Sequence, residues 1–338
     1  MSASAGRRVV VTGGGGFVGR HLGDALVARG DDVISVDFKG KPWRDGVTFV
    51  DADIRDAQAM AAACEGAEVV FHNASIVHTK NNRKDDVWSV NLGGTESVLA
   101  ACRGAGVRRL VYVSSASAVY EGRDIENGDE TLPTSRISQA PYADSKIAAE
   151  KLVLAAPDGE LATCAIRPHV IFGPGDTRFM PAILSRARAG KLTFSVGKGD
   201  KLSDFTYISN LVDALLLADE KLTPGGPVAG QAYFVTNGEP RPFFGFVGDV
   251  LRELGLPPIR RAIPYRIAYA AAAIAEGWDT LKGGTLNAED GLTRFAVRYM
   301  CTHHYFSIEK AKRDLGYTPR VSLREGIELT AAHLRAAG

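Results

Sequence analysis

Residues 9–38, VVVTGGGGFVGRHLGDALVARGDDVISVDF, restrict the fold more than any other part of the chain. A β-branched run meets four consecutive glycines, a helix-like segment follows, and a second apolar run ends in Asp37. Two strands joined through a helix in so short a stretch must lie parallel, with a right-handed crossover. Gly13, Gly16 and Gly19 form a GxxGxxG loop after a strand and at the opening of a helix that begins near Phe17 and Val18. Such a loop supplies φ freedom, close backbone approach and tight helix–strand packing, and the helix start presents unpaired N–H groups to a pyrophosphate. Asp37 lies eighteen residues past Gly19, placed to accept hydrogen bonds from an adenosine ribose. The cofactor expected is NAD. A carboxylate about 4 Å from a 2′-phosphate, at an effective dielectric near 20, costs roughly 4 kcal/mol per pair of unit charges, a penalty that Lys39 and Lys41 would soften.

The alternation continues. Arg8–Thr12, Asp32–Phe38, Val47–Asp51, Glu68–His72 and Arg108–Ser114 read as strands; 16–30, 57–65, 86–104 and 141–156 read as helices. This predicts an α/β fold, a doubly wound (Rossmann) parallel sheet with helices on both faces. Residues 1–176 would form the NAD-binding domain carrying the catalytic residues, and 177–338 mainly a smaller substrate-binding lobe that returns to the sheet near 204–236. Segments 177–203 and 259–305 suit the cover of a pocket. Asp53 and Ile54, past the third strand, would flank an adenine, although Asp53 reads nearly as well as a helix N-cap.

Composition sets limits. With 45% hydrophobic and 23% charged residues and a formal net charge of +1, the 338-residue chain is ordinary for a globular protein and offers no electrostatic case for nucleic acid. Cys64, Cys102, Cys164 and Cys301 lie far apart without a CxxC pair, so free thiols in a cytoplasmic setting are expected. The most membrane-like stretch, Ile267–Ala275, ends at Glu276, well short of the ~20 apolar residues a spanning helix needs. Peripheral membrane contact stays open.

Further along, PYADSK sets Tyr142 and Lys146 on one helical face, with Pro141 at a first helical position. An ammonium about 4.5 Å from the phenol, at an effective dielectric near 20, favours phenolate by roughly 3 to 4 kcal/mol and moves a group of ordinary pKa near 10 towards neutrality. Ser114 and Ser115 close a strand at the carboxyl edge of the sheet, where a hydroxyl can hold a substrate oxygen. Ser115 is the choice, and Ser114 the competitor, since alternate strand residues face opposite ways.

These residues together resemble the extended short-chain dehydrogenase/reductase superfamily, and within it the 3β-hydroxysteroid dehydrogenase family. The shared pieces are VTGGGGFVG, VFHNAS, VNLGGTESVLAAC, YVSSASAVYEG, DETLP, PYADSK, AIRPHVIFGPGD, DFTYISNLV, GQAYFVTNGEP and HHYFSIEKAKRDLGY. The resemblance implies that Tyr142 is the general acid/base, that Ser115 orients the substrate oxygen, and that Lys146 binds the nicotinamide ribose. It places Asn73, Ala74 and Ser75 along the adenosine side. Pro168, His169 and Val170 would lie beside the nicotinamide, and Asn91 in the hydrogen-bond network or in helix packing. One departure is VYEG in place of VYG.

The leading expectation is oxidation of a sterol 3β-hydroxyl, with loss of CO₂ where a 4-carboxylate is present. A nucleotide-sugar epimerase or dehydratase is the first alternative, disfavoured by Val170 where such enzymes carry asparagine. A 3-ketoacid reductase, disfavoured by Asp37, and a non-catalytic NAD-binding protein follow. No metal site is expected: His303 and His304 are adjacent, facing opposite ways on a strand, with no third ligand in view. His78 reads as a solvated loop residue and Ile263–Ile274, with Tyr265 and Tyr269, as a core helix, a sterol wall or a membrane contact. By analogy with the superfamily, the partner besides a small molecule is a second copy.

Overall fold

The computed structural model describes residues 6–38, 40–78, 83–138, 140–281 and 293–337; Lys39 lies outside them. The main sheet has seven strands: β1 (Arg8–Thr12), β2 (Asp32–Asp37), β3 (Val47–Asp51), β4 (Val69–His72), β5 (Arg109–Val113), β6 (Ala162–Pro168) and β7 (Ala232–Val235). Their order is β7-β6-β5-β4-β1-β2-β3, and every pairing is parallel. The order reverses between β1 and β4, so a crevice opens there at the carboxyl ends of the strands.

Side-chain alternation divides the core. Val9 and Val11 of β1 face one layer, where α1 (Phe17–Ala28) packs through Leu22 and Leu26. Val10 faces the other, with Met60 of α2 (Ala57–Cys64) and the apolar face of a long helical segment after β4. That segment is α3 (Lys84–Trp88), a π turn (Ser89–Gly93) and α4 (Gly94–Gly104). α5 (Pro141–Leu154) completes this layer through Ala149 and Val153. The parallel strands need both faces covered, and both are.

Beyond β6 the chain turns at Val170, whose φ of 31° is unusual for a β-branched residue. Ile171–Phe172 then pairs with Thr206–Tyr207. Between them lies α6 (Phe179–Arg188), and after them α7 (Ile208–Lys221) returns to the sheet with Leu211 and Leu215 in the core. Phe194–Val196 pairs with Arg261–Ile263, so the two segments expected to leave the sheet join one another. α8 (Phe243–Glu253) and α9 (Tyr265–Leu281) lie on either side of the latter strand, followed by α10 (Arg294–Met300), α11 (Glu309–Leu315) and α12 (Leu323–Ala337).

α9 corrects one expectation. It is no core helix: only Ala268 and Ala272 are buried, while Ile274 is 73% and Leu281 82% exposed. Its small residues fit against Val196 and Val297, and the larger apolar ones point away. No helix among the described residues is long and apolar enough to cross a membrane. All four cysteines are free thiols.

Candidate active site

A cleft of about 670 Å³ follows the carboxyl edge of the sheet, from Asp37 and Ile54 at one end to Tyr142 and Arg178 at the other. At its centre is the glycine loop. Gly13 has φ 66°, and a Cβ there would sit 2.8 Å from the backbone of Ala74, so the first and second halves of the sheet touch through bare backbone. A Cβ on Gly19 would sit 2.2 Å from the Gly13 carbonyl, which seats α1 tightly on the loop. Gly16, the N-cap of α1, lines the cleft with Phe17 and Val18. This bare helix start fits a pyrophosphate.

The Asp37 carboxylate accepts the Gly15 N–H at 2.9 Å and the Phe38 N–H at 2.7 Å, and keeps lone pairs towards the cleft. Asp53 and Ile54 also line it. The N-cap of α2 is Asp56, not Asp53, since Asp56 takes the N–H groups of Gln58 and Ala59. Asp53 instead holds the Arg55 guanidinium through Nε at 2.9 Å and Nη2 at 2.5 Å, and this hydrogen bonding lowers the Asp53 carboxyl pKa despite its partial burial.

Asn73, Ala74 and Ser75 line the opposite wall. Asn73 Nδ2 reaches the Gly13 carbonyl at 3.3 Å and the Ala74 N–H reaches Thr12 Oγ1 at 3.2 Å. His72, beneath them, is pinned between Thr12 Oγ1 at 2.7 Å and Thr95 Oγ1 at 2.9 Å. Burial, helped by the Lys146 charge, lowers His72 to about 3.

The π turn aims Asn91 at this wall. Asn91 accepts the Ile76 N–H at 2.7 Å and donates to the Ile76 carbonyl at 3.0 Å and to Ser145 Oγ at 2.9 Å. Asn91 is thus a brace behind the cleft rather than one of its lining residues. His78, expected in solvent, is only 8% exposed.

At the reaction end the two serines separate. Ser114 Oγ donates to Glu150 Oε2 at 2.6 Å, and Arg167 grips the same carboxylate at 2.9 and 2.6 Å. Ser115 caps the short 3₁₀ turn Ala116–Val119, its Oγ accepting the Ser117 N–H at 3.2 Å, and its hydroxyl is near enough to Tyr142 to favour the phenolate. Beyond that turn Tyr120 is buried against Tyr299 at 5.0 Å between ring centres.

Lys146 departs from the simple picture of an ammonium acting on the phenol. Its Nζ donates to the Val113 carbonyl at 2.5 Å and lies 4.0 Å from the centre of the Tyr112 ring. Burial lowers Lys146 to about 7, with Glu150 pulling it upward. Burial pushes the Tyr142 phenol up, and the Ser115 hydrogen bond and the Arg178 charge pull it down. A lysine with so low a pKa is only partly charged at neutral pH, and the Arg178 charge also favours the phenolate. Sequence reasoning did not single out Arg178, Glu150 or Arg167. Glu150 was within reach of it, one helical turn past Lys146; the other two were not.

Pro168 ends β6, and Ile171 rather than Val170 lines the cleft. The His169 side chain turns away from it: Nε2 lies 2.9 Å from His304 Nδ1 and 3.0 Å from Tyr299 Oη. His304 Nε2 donates to the Tyr299 carbonyl at 2.7 Å, so its Nδ1 accepts and His169 Nε2 is the donor. Both rings are neutral, with burial lowering His304 to about 4 and His169 well below its ordinary value. His303 faces the surface beside Asp124 and Glu126, a third and fourth group that the sequence did not place there. Asp124 is already ion-paired with Lys201 at 2.7 Å.

A Rossmann sheet, a bare-backbone loop, an acid at the end of β2 and a Ser–Tyr–Lys group on β5 and α5 define an extended short-chain dehydrogenase/reductase. A family model for the 3-beta hydroxysteroid dehydrogenase/isomerase family matches residues 10–264, and the chain belongs to that family. It is 42% identical over 325 residues to a 2-alkyl-3-oxoalkanoate reductase of Stenotrophomonas maltophilia, covering 95% of this chain and 97% of the relative. It is 36% identical over 337 residues to the human decarboxylating sterol-4-alpha-carboxylate 3-dehydrogenase, covering 99% and 90%. Among solved structures, a Thermus thermophilus UDP-glucose 4-epimerase in complex with NAD superposes with a TM-score of 0.74 at 25% identity, covering 98% of this chain and all of that one. The protein is an NAD-dependent enzyme of the oxidoreductase/epimerase kind, and its cofactor is NAD.

Proposed function

We propose that this protein is a dehydrogenase that oxidises a secondary alcohol on a largely apolar substrate to the ketone, with a sterol 3β-hydroxyl as the leading case. The observation that carries this reading is that Tyr142 and Lys146, one helical turn apart on α5, line the same cleft as Asp37 and the glycine loop. Bound NAD supplies the hydride acceptor. Gly13, Gly16 and the start of α1 would hold its pyrophosphate, Asp37 its adenosine ribose, and Lys146 its nicotinamide ribose. Ser115 Oγ and Tyr142 Oη hold the alcohol oxygen between them, and Tyr142 takes its proton as the carbon gives up hydride. A carboxylate on the adjacent carbon makes the product a β-keto acid. That acid loses CO₂ by passing the C–C electron pair to the ketone, which becomes an enol and then takes a proton at carbon.

A second reading is reduction of a 2-alkyl-3-oxo acid, favoured by the 42% identity to a reductase of such acids. It runs the same residues in reverse. Asp37 weighs against it where the reductant is NADPH. The names of both relatives place a carboxylate next to the reacting carbon. NADH formation is the test, using 3β-hydroxysterols, a 4-carboxysterol and 2-alkyl-3-hydroxy acids with NAD and NADP, and nucleotide sugars as controls. NADH from a sterol supports the first reading, and NADH from the hydroxy acids alone supports the second. Formation from none of the alcohols overturns the dehydrogenase assignment.

A further inference from the structure

We infer that Arg178 recognises a carboxylate on the carbon next to the reacting one, so that the protein selects 3-hydroxy or 3-oxo carboxylates over neutral alcohols. This inference rests on the dehydrogenase reading above and names the residue that would set its substrate class.

Arg178 immediately precedes α6 and lines the same cleft as Tyr142. Its backbone is held by Asp176, whose Oδ1 accepts the N–H groups of Arg178 at 2.8 Å and Phe179 at 3.1 Å, and whose Oδ2 accepts that of Met180 at 2.8 Å. Asp176 therefore spends its carboxylate on the helix start. From that anchor the Arg178 side chain crosses the cleft, and Nη1 donates to the Val77 carbonyl at 3.0 Å.

The other cations along the cleft are already engaged. Arg55 pairs with Asp53 at 2.5 Å and Arg83 with Asp86 at 3.1 Å, while Lys146 donates to the Val113 carbonyl. Arg178 alone of these arginines is seen to donate to a neutral carbonyl, which leaves most of its planar fork for a bidentate anion. Its hydrogen-bond partner Val77 and its chain neighbour Phe179 are apolar residues of the cleft lining, while Arg178 itself is exposed and within reach of an entering substrate. Its charge reaches the Tyr142 phenol. A cation in the cleft it shares with the proton acceptor is placed to meet a carboxylate carried on the carbon beside the alcohol. The same charge makes the phenol more acidic, so Arg178 links substrate choice to proton transfer.

The test compares wild type, Arg178→Met and Arg178→Lys on a 2-alkyl-3-hydroxyalkanoate and its methyl ester, with NAD, reading NADH formation. Wild type should favour the acid in kcat/KM by on the order of 10- to 100-fold, the strength of a charged hydrogen bond. The methionine variant should bring the acid/ester ratio towards one, and lysine should restore part of it. The pH profile for the ester should also move to higher pH in the methionine variant, which a merely structural residue would not cause. An unchanged ratio in Arg178→Met, or no preference in wild type, overturns the inference while leaving the dehydrogenase reading in place. Should wild type oxidise neither compound, thermal shift with the acid and NAD decides. Stabilisation that is lost in Arg178→Met upholds the carboxylate site and removes the proposed reaction, whereas stabilisation independent of Arg178, or none, overturns the inference.

Discussion

The two ends of the cleft are built differently. The dinucleotide end is made of short-range parts: β1, its glycine loop and α1 are contiguous, and Asp37 arrives at the end of the next strand. The reaction end is assembled from distant pieces. Tyr142 comes from α5, Ser115 from the end of β5, Arg178 from the start of α6, and the ring stack behind His169 draws on Tyr299 and His304. Backbone carries the first end, so few side chains there have chemistry to lose. Buried polar side chains carry the second, where each depends on its neighbours for charge and hydrogen bonds.

This contrast can be broken experimentally. Tyr142→Phe should have the largest effect, a turnover loss of about 10²- to 10⁴-fold with NAD affinity nearly intact by calorimetry, because the phenol belongs to the reaction end alone. Unchanged turnover would remove Tyr142 from catalysis. Glu150→Gln comes next. It strips the carboxylate from a buried Arg167 and should cost about 3 to 5 kcal/mol in denaturant unfolding, along with a further fall in the Lys146 pKa. A loss under 1 kcal/mol would show that the pair is not what braces α5 against β6.

Asp37→Asn probes the other end. Loss of one charged acceptor should weaken NAD about 10- to 100-fold and narrow the preference over NADP, with little change in kcat at saturating cofactor. A change confined to kcat would contradict the division between the ends.

The smallest effect is a pH dependence of stability. His72, His169 and His304 have folded pKa values below the ordinary value of 6.5, at about 3 for His72 and about 4 for His304. The unfolded chain therefore binds protons at these sites before the folded one does. Their stabilisation is complete above pH ~6.5 and declines as pH falls towards 4 and 3, by at most about 1.4 kcal/mol per pH unit for each ring. Asp204 acts with the opposite sign: burial raises it to about 7, so its contribution is complete below about pH 4 and is lost as pH rises through 7. Melting temperatures should therefore fall on acidification below pH 6.5, and His169→Phe should flatten that slope. An unchanged slope in the variant would remove His169 as a source of it.

The strands and helices of the first half were legible because period and glycine punctuation are local. β1 and β3 match the expected residues, and α1, α2 and α5 differ by one to three residues at their ends. The π turn at Ser89–Gly93 was not legible, since nothing in VNLGG distinguishes i→i+5 from i→i+4 hydrogen bonding. Alternation put Ser114 and Ser115 on opposite faces, with Ser115 the choice for the substrate oxygen. That Ser114 spends its hydroxyl on Glu150, itself gripped by Arg167, was not legible in the sequence. α9 misled for a related reason: alanine-rich composition reads as core, but burial depends on what lies opposite, and only one narrow face of α9 meets Val196 and Val297.

By itself the sequence determined the parallel sheet, the nucleotide loop and the Tyr142–Lys146 pair, because each depends on residues a few positions apart whose backbone geometry is set locally. How far Lys146 keeps its charge, and that Glu150 and Arg167 close on Ser114, were decided by tertiary structure. Those properties are sums of desolvation and Coulomb terms over groups far apart in the chain, and such sums exist only once the chain has folded around them.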